Sequence, residues 1–122
     1  MAGPQPAGFD ERIRVERTGE ILVDCLEVAT TSWQRFFGLM GRSWMPRAGG
    51  LWLEPCNSIH MSFMRFSIDV VWLDSQNVVL KVSSRVRPWL GFACHWPARV
   101  ALEIPAGNAK ALRVGDRLER VS

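Results

Sequence analysis

The clearest two-residue period of hydrophobic positions runs from Phe66 to Leu73, with polar residues between them at Ser67 and Asp69. Phe66, Ile68, Val70 and Trp72 share one parity, and Ser67, Asp69, Val71 and Leu73 the other. A run of this kind and length reads as a strand. Asp74-Ser75-Gln76-Asn77 has the residue types of a hairpin turn, and Val78 to Val82 reads as the returning partner. Glu20 to Val28 is also strand-like but apolar at both parities, as in strands covered on both faces. Leu51-Trp52-Leu53 reads as a short strand ended by Pro55, and Arg99 to Ile104 as a final core strand. Arg117 to Val121 alternates again after the Val114-Gly115-Asp116 turn.

Two segments follow a helical period instead. Thr31-Ser32-Trp33-Gln34 forms a Thr-x-x-Gln capping box. Behind it Trp33, Phe36, Phe37 and Met40 fall on one helical face, and Gly41 provides the stop. A second helix of one or two turns is expected from Pro105 to about Arg113. Arg42 to Gly50 and Arg85 to Pro97 carry Pro and Gly breakers and read as irregular. The order of elements, with hairpins rather than regular βαβ units, predicts an α+β domain. Its mainly antiparallel sheet is expected to roll into a small open β-barrel that covers its own edges, with one short helix after the first main strand and another near the C-terminus.

Composition narrows the class. The chain has 122 residues, of which 48% are hydrophobic and 22% charged. That suits one globular domain rather than a disordered chain. Residues 1–10 are rich in Gly, Pro and Ala and read as a disordered tail, which leaves 11–122 as the domain. No apolar run reaches membrane-spanning length, and no apolar segment near the start resembles a signal peptide. Three cysteines cannot all pair within one chain, and none forms a C-x-x-C. A reducing bacterial cytoplasm with free thiols is therefore the expected location. The net charge is +3, and the basic residues are thirteen Arg and two Lys. Val28 to Leu53 and Ser75 to Leu102 contain cations and no acid. This modest charge makes nucleic acid an unexpected partner.

Three groups of residues, in order, resemble the family known as domain of unknown function 192. The first is Glu27-Val28-Ala29-Thr30 with Arg35-Phe36-Phe37-Gly38-Leu39-Met40. The second is His60-Met61 with Ser67-Ile68-Asp69-Val70-Val71-Trp72-Leu73-Asp74. The third is Leu102-Glu103-Ile104-Pro105-Ala106-Gly107 with Val114-Gly115-Asp116. Members of that family carry Trp-Met-Lys-Asn before a Pro-Leu-Asp strand. Here His60-Met61-Ser62-Phe63 and Ser67 stand in those places. The resemblance implies a small β-rich domain with an early helix and no established activity. The Gly107 to Asp116 segment also looks like the turn of small cradle-loop barrels.

Chemistry-bearing residues gather in the segments Pro55 to Phe63 and Arg85 to Trp96. Cys56, His60, Cys94 and His95 supply the donor types of a Cys2His2 zinc site if the two segments meet. Met61 and Met64 would add soft ligands suited to copper(I). The same Cys and His residues could instead form a thiolate–imidazole pair for nucleophilic chemistry. Asp69 and Glu103, both within apolar strands, are candidates for paired acid and base. Arg85, Arg87, Trp89, His95 and Trp96, with His60, Met61 and Asp69, could bind an anionic ligand by combining guanidinium and aromatic groups. The expectation is a non-catalytic binding domain using loops 55–63 and 85–96 for a small anionic ligand or a protein partner. It is expected to be a monomer or weak dimer, without a cofactor and away from the membrane. The alternative is a metal-binding or Cys/His-dependent enzyme built on Cys56, His60, Cys94 and His95.

Overall fold

The computed structural model describes residues 5–6, 11–30, 45–60, 65–89 and 91–122. Among the described residues every regular element is a strand. They are β1 (Gln5–Pro6), β2 (Arg12–Val15), β3 (Ile21–Val23), β4 (Cys25–Ala29), β5 (Gly49–Leu53), β6 (Ser58–His60), β7 (Ile68–Leu73), β8 (Val79–Val86), β9 (Phe92–Cys94), β10 (Val100–Pro105) and β11 (Leu118–Val121). The main sheet has six strands in the order β1-β4-β5-β10-β7-β8. A second sheet is ordered β11-β2-β3, and β6 and β9 form a two-stranded ribbon. All pairings are antiparallel except β4 with β5. Among the described residues no helix is long and apolar enough to cross a membrane.

The expected α+β class and closed edge are therefore corrected. The helix read from Thr31 to Met40 lies outside the described residues. The second expected helix is absent: Ala106 to Ala111 is a series of turns. Its backbone is committed elsewhere. The Asp69 carboxylate accepts from the N–H of Gly107 at 2.9 Å and of Ala109 at 3.0 Å. Gly107 has φ of 95°, a left-handed conformation incompatible with a right-handed helix. The barrel does not close either. Among the described residues β8 is an edge of the main sheet, and its start meets the second sheet at the isolated Val78–Arg117 bridge and the backbone bonds beside it. Two register shifts between β7 and β8 kink this edge.

The apolar runs are explained by burial on both faces. On the central strands β5, β7 and β10, alternate residues enter two separate clusters. One contains Leu51, Leu53, Val70, Trp72 and Ala101. The other contains Trp52, Val71, Leu73, Leu102 and Ile104 on the opposite face. The second sheet covers this latter cluster with Ile13, Val15, Val23 and Leu118. The β6–β9 ribbon covers the former with Ile59 and Ala93. Glu20 to Val28, expected as one strand, divides at Asp24 into β3 and β4, which belong to different sheets. Gly50 makes their approach possible. A Cβ there would lie 2.9 Å from Val23 Cγ2. Residues 5–6, within the expected tail, pair with Glu27 and Val28.

Candidate functional site

The ribbon brings together the two segments that the sequence singles out. Ser58 pairs with Cys94, Ile59 with Ala93, and His60 with Phe92. Backbone bonds anchor both ends: Cys56 N–H donates to Arg99 O at 2.9 Å, and His95 N–H to Asn57 O at 2.8 Å. Ala93 is buried in the core cluster, so its neighbours Phe92 and Cys94 turn to the other side of β9.

The metal and thiolate candidates lie in this region. The Cys56 thiol donates to Ser58 O at 3.2 Å. Cys25, Cys56 and Cys94 are not in disulfides. Among the described residues no three His, Cys, Asp or Glu side chains gather around one point that could hold a metal ion. His60 occupies the end of β6, and Met61 lies outside the described residues.

Beside the ribbon a groove of about 610 Å³ runs between β8 and β9. One wall is Lys81, Ser83, Ser84, Val86 and Arg87. The other is Phe92, Ala93 and Cys94, with Pro88 and Gly91 at the end. No acid is among these residues. Trp72, buried on the neighbouring strand β7, donates its Nε1–H to Ser83 Oγ at 3.0 Å. That bond occupies an acceptor position of the hydroxyl and leaves its own proton to donate. The groove thus offers two cations and an oriented hydroxyl.

Arg85 does not join this wall. Its φ is 50°, and its N–H donates to Asp69 Oδ1 at 2.9 Å. Its guanidinium lies against Gly107, where a Cβ would meet Nη2 at 3.6 Å. Trp89 also has a left-handed φ, 66°, inside a turn closed by Gly91 N–H donating to Arg87 O. Trp89, Phe92 and Trp96 are 52%, 64% and 71% exposed. His95 is half-buried at the end of β9.

Asp69 and Glu103 are not a pair. In the β7–β10 register Asp69 is opposite Ile104, while Glu103 is opposite Val70. The two carboxyl groups therefore occupy opposite faces of the sheet. Asp69 is filled by three backbone N–H donors, those of Arg85, Gly107 and Ala109. Glu103 shares its face with Leu51 and Val70, and burial alone pushes its carboxyl up to about 8.

A second cavity, of about 360 Å³, lies between the β2–β3 hairpin and the 107–112 turns. Arg17, Arg47 and Lys110 line it, as does the acid Glu20. Arg17 is already committed to Asp116, at 2.7 and 3.1 Å. Apart from that pair this cavity has two cations and one acid, whereas the described lining of the β8–β9 groove has two cations and no acid.

Lys81, Ser83 and Ser84 lie outside the two segments that the sequence singles out, whereas Phe92 falls within the 85–96 loop. The signal available was the polar run Lys81 to Arg85, broken only by Val82, in a strand whose partner β7 is fully buried.

Known proteins supply a family context. The DUF192 family model, described as an uncharacterized ACR, matches residues 13–120. A UPF0127 protein of Pyrococcus furiosus is 38% identical over 93 residues, covering 70% of this chain and 78% of its own. A UPF0127 protein of Pyrococcus abyssi is 34% identical over 104 residues, covering 80% and 86%. In structure the chain is similar to a putative transcription regulator from Sinorhizobium meliloti, with TM-score 0.83, 23% identity and coverage of 98% and 97%. It is also similar to a protein of unknown function from Novosphingobium aromaticivorans, with TM-score 0.77, 23% identity and coverage of 88% and 83%. At such identities the structural likeness shows the fold alone.

Proposed function

Because the chain belongs to the uncharacterised DUF192 family, its function has to be read from its own side chains, and we propose a non-catalytic domain that binds a small anionic ligand in the groove between β8 and β9. The observation that carries this reading is the set of groups on the β8 wall. Lys81 and Arg87 line one cavity with Ser83 and Ser84 and with no acid. Arg supplies a bidentate fork for carboxylate or phosphate, and Lys a point charge. The groove is large enough for a metabolite-sized molecule.

The same wall argues against an added peptide strand. Strand addition needs a regular edge. Here the edge carries two register shifts, Lys81 and the left-handed Arg85, all of which discourage pairing. The lining also favours binding over catalysis. Among the described residues that line it there is no imidazole or carboxylate to act as general base for its thiol, Cys94.

Calorimetric titration with ribose 5-phosphate and with citrate tests the reading. At least one of them should bind at low salt and weaken at high salt. Replacing Lys81 and Arg87 together by Ala should lower that affinity at least tenfold. Unchanged affinity in the double variant, or no binding of either compound to the wild type, would overturn it.

A further inference from the structure

We propose that the ligand of this groove carries a flat ring beside its anionic group, as a nucleoside monophosphate does, and that Phe92 is the surface on which the ring stacks. The inference rests on the anion-binding reading above and adds the chemistry of the opposite wall.

The β8 wall is cationic and hydroxylic, but the β9 wall is not. Ala93 faces the core, which turns Phe92 outward beside the groove. Its ring is 64% exposed. A phenyl ring left in water forgoes most of its burial free energy, and the groove it lines is where that surface can be covered. The remaining space points the same way. About 610 Å³ exceeds what a bare phosphate or carboxylate fills. Val86, Pro88 and Ala93 give the surplus volume an apolar lining. An anion on the cationic β8 wall thus has room for its organic part along the apolar surface that leads to Phe92. Stacking on such a ring is tolerant of ring identity, since every aromatic base has a π-face.

The Arg87–Gly91 turn closes the groove at this end. Trp89 sits in it at φ 66° and is half exposed. A bulky residue in the left-handed region is uncommon, and such strain persists where the surroundings impose it.

The test compares phosphomonoesters with and without a ring: AMP and phenyl phosphate against ribose 5-phosphate and inorganic phosphate. Wild type and Phe92→Ala are titrated with each compound. Phe92 is exposed, so its removal leaves the core intact. The ring compounds should bind roughly tenfold or more tighter than the ringless ones. Phe92→Ala should abolish that difference, read as the ratio of ring to ringless affinity in the same protein. Equal affinity of all phosphates for the wild type overturns the ring proposal and leaves the anion reading standing. A ring preference that persists in Phe92→Ala overturns the assignment of the stacking surface. Binding of none of the compounds removes the anion reading itself.

Discussion

Asp69 and Glu103 lie one register step apart on neighbouring strands and face opposite sides of the same sheet. The two acids consequently live in different chemistry. Asp69 is saturated by backbone donors and ties β8 to the 107–109 turn. Glu103 sits among Leu51 and Val70. A strand period of two residues is enough to separate a structural carboxylate from a proton-holding one.

Glu103 makes stability fall as pH rises. Burial raises its pKa from 4.5 to about 8. Between those values the folded chain holds a proton that the unfolded chain has lost. Its contribution is fully present below 4.5 and is lost as pH rises through 8, with a slope of at most about 1.4 kcal/mol per pH unit. Glu103→Gln should remove this part of the slope and be the more stable protein in alkali. Urea unfolding at about pH 5, 7 and 9 reads it directly. Identical slopes in the two proteins would show that Glu103 does not hold the proton.

Asp69→Ala should be among the most damaging single changes outside the apolar core. It leaves the N–H groups of Arg85, Gly107 and Ala109 without their acceptor. Each such orphan costs about 1–3 kcal/mol, so a loss of about 3–5 kcal/mol is expected after partial rescue by water. Asp69→Asn keeps one carbonyl oxygen and should cost less. Chemical denaturation ranks the three proteins, and equal stability of wild type and Asp69→Ala would refute the staple.

How far the sequence reveals this molecule depends on how local each signal is. The β7–β8 hairpin announces itself through the apolar run up to Leu73 and the Asp74 to Asn77 turn; the antiparallel pair is present, with β7 buried on both faces. β2 carries an equally local alternation, with Ile13 and Val15 buried and Arg12 and Arg14 half-buried, but it is only four residues long. The 105–111 turns read as a helix because their residues suit one. What prevents it is a carboxylate about forty positions away in sequence, and no local window contains that information. The β6–β9 ribbon was legible as a concentration of Cys, His, Trp and Arg in two loops. Its pairing was not legible, since three-residue strands have no period to detect. The groove fell between these cases. Arg87 was visible as a candidate. Ser83 was not, because its role depends on the indole of Trp72 across the strand pair.

Gly50→Ala tests the packing of the two sheets. The new methyl carbon would lie 2.9 and 3.0 Å from the two γ-carbons of Val23 and 3.3 Å from Ile104 Cγ2. Val23 and Ile104 are fully buried, so neither can move aside freely. Overpacking of this kind costs about 1–3 kcal/mol. Adding Val23→Ala should recover part of the loss, which a double-mutant cycle measures as a favourable coupling. Additive effects would mean that the methyl is accommodated elsewhere.

Arg17 and Asp116 should set the acid limit of the fold. The Arg17 side chain donates to both oxygens of Asp116, at 2.7 and 3.1 Å, and Arg113 N–H adds a third bond at 2.9 Å. The Arg17 guanidinium, followed by the Arg113 backbone N–H, holds the Asp116 carboxyl below its ordinary 3.8 despite desolvation. A depressed pKa contributes stability that is present above the unfolded value and is lost as pH falls through the folded one. Asp116 also fixes the junction of the sheets, since its carbonyl accepts from Val79 N–H at 2.8 Å. Arg17→Ala removes the cation while keeping the carboxylate and the Arg113 bond. It should therefore move the acid-unfolding midpoint to higher pH, and Arg17→Lys, which cannot donate as a planar fork, should fall between it and wild type. The acid transition followed by circular dichroism in low and high salt distinguishes the causes. A midpoint difference that shrinks with salt identifies the charge, whereas one that does not identifies the hydrogen-bond geometry. No difference among the three proteins would show that this ion pair leaves the acid limit unchanged.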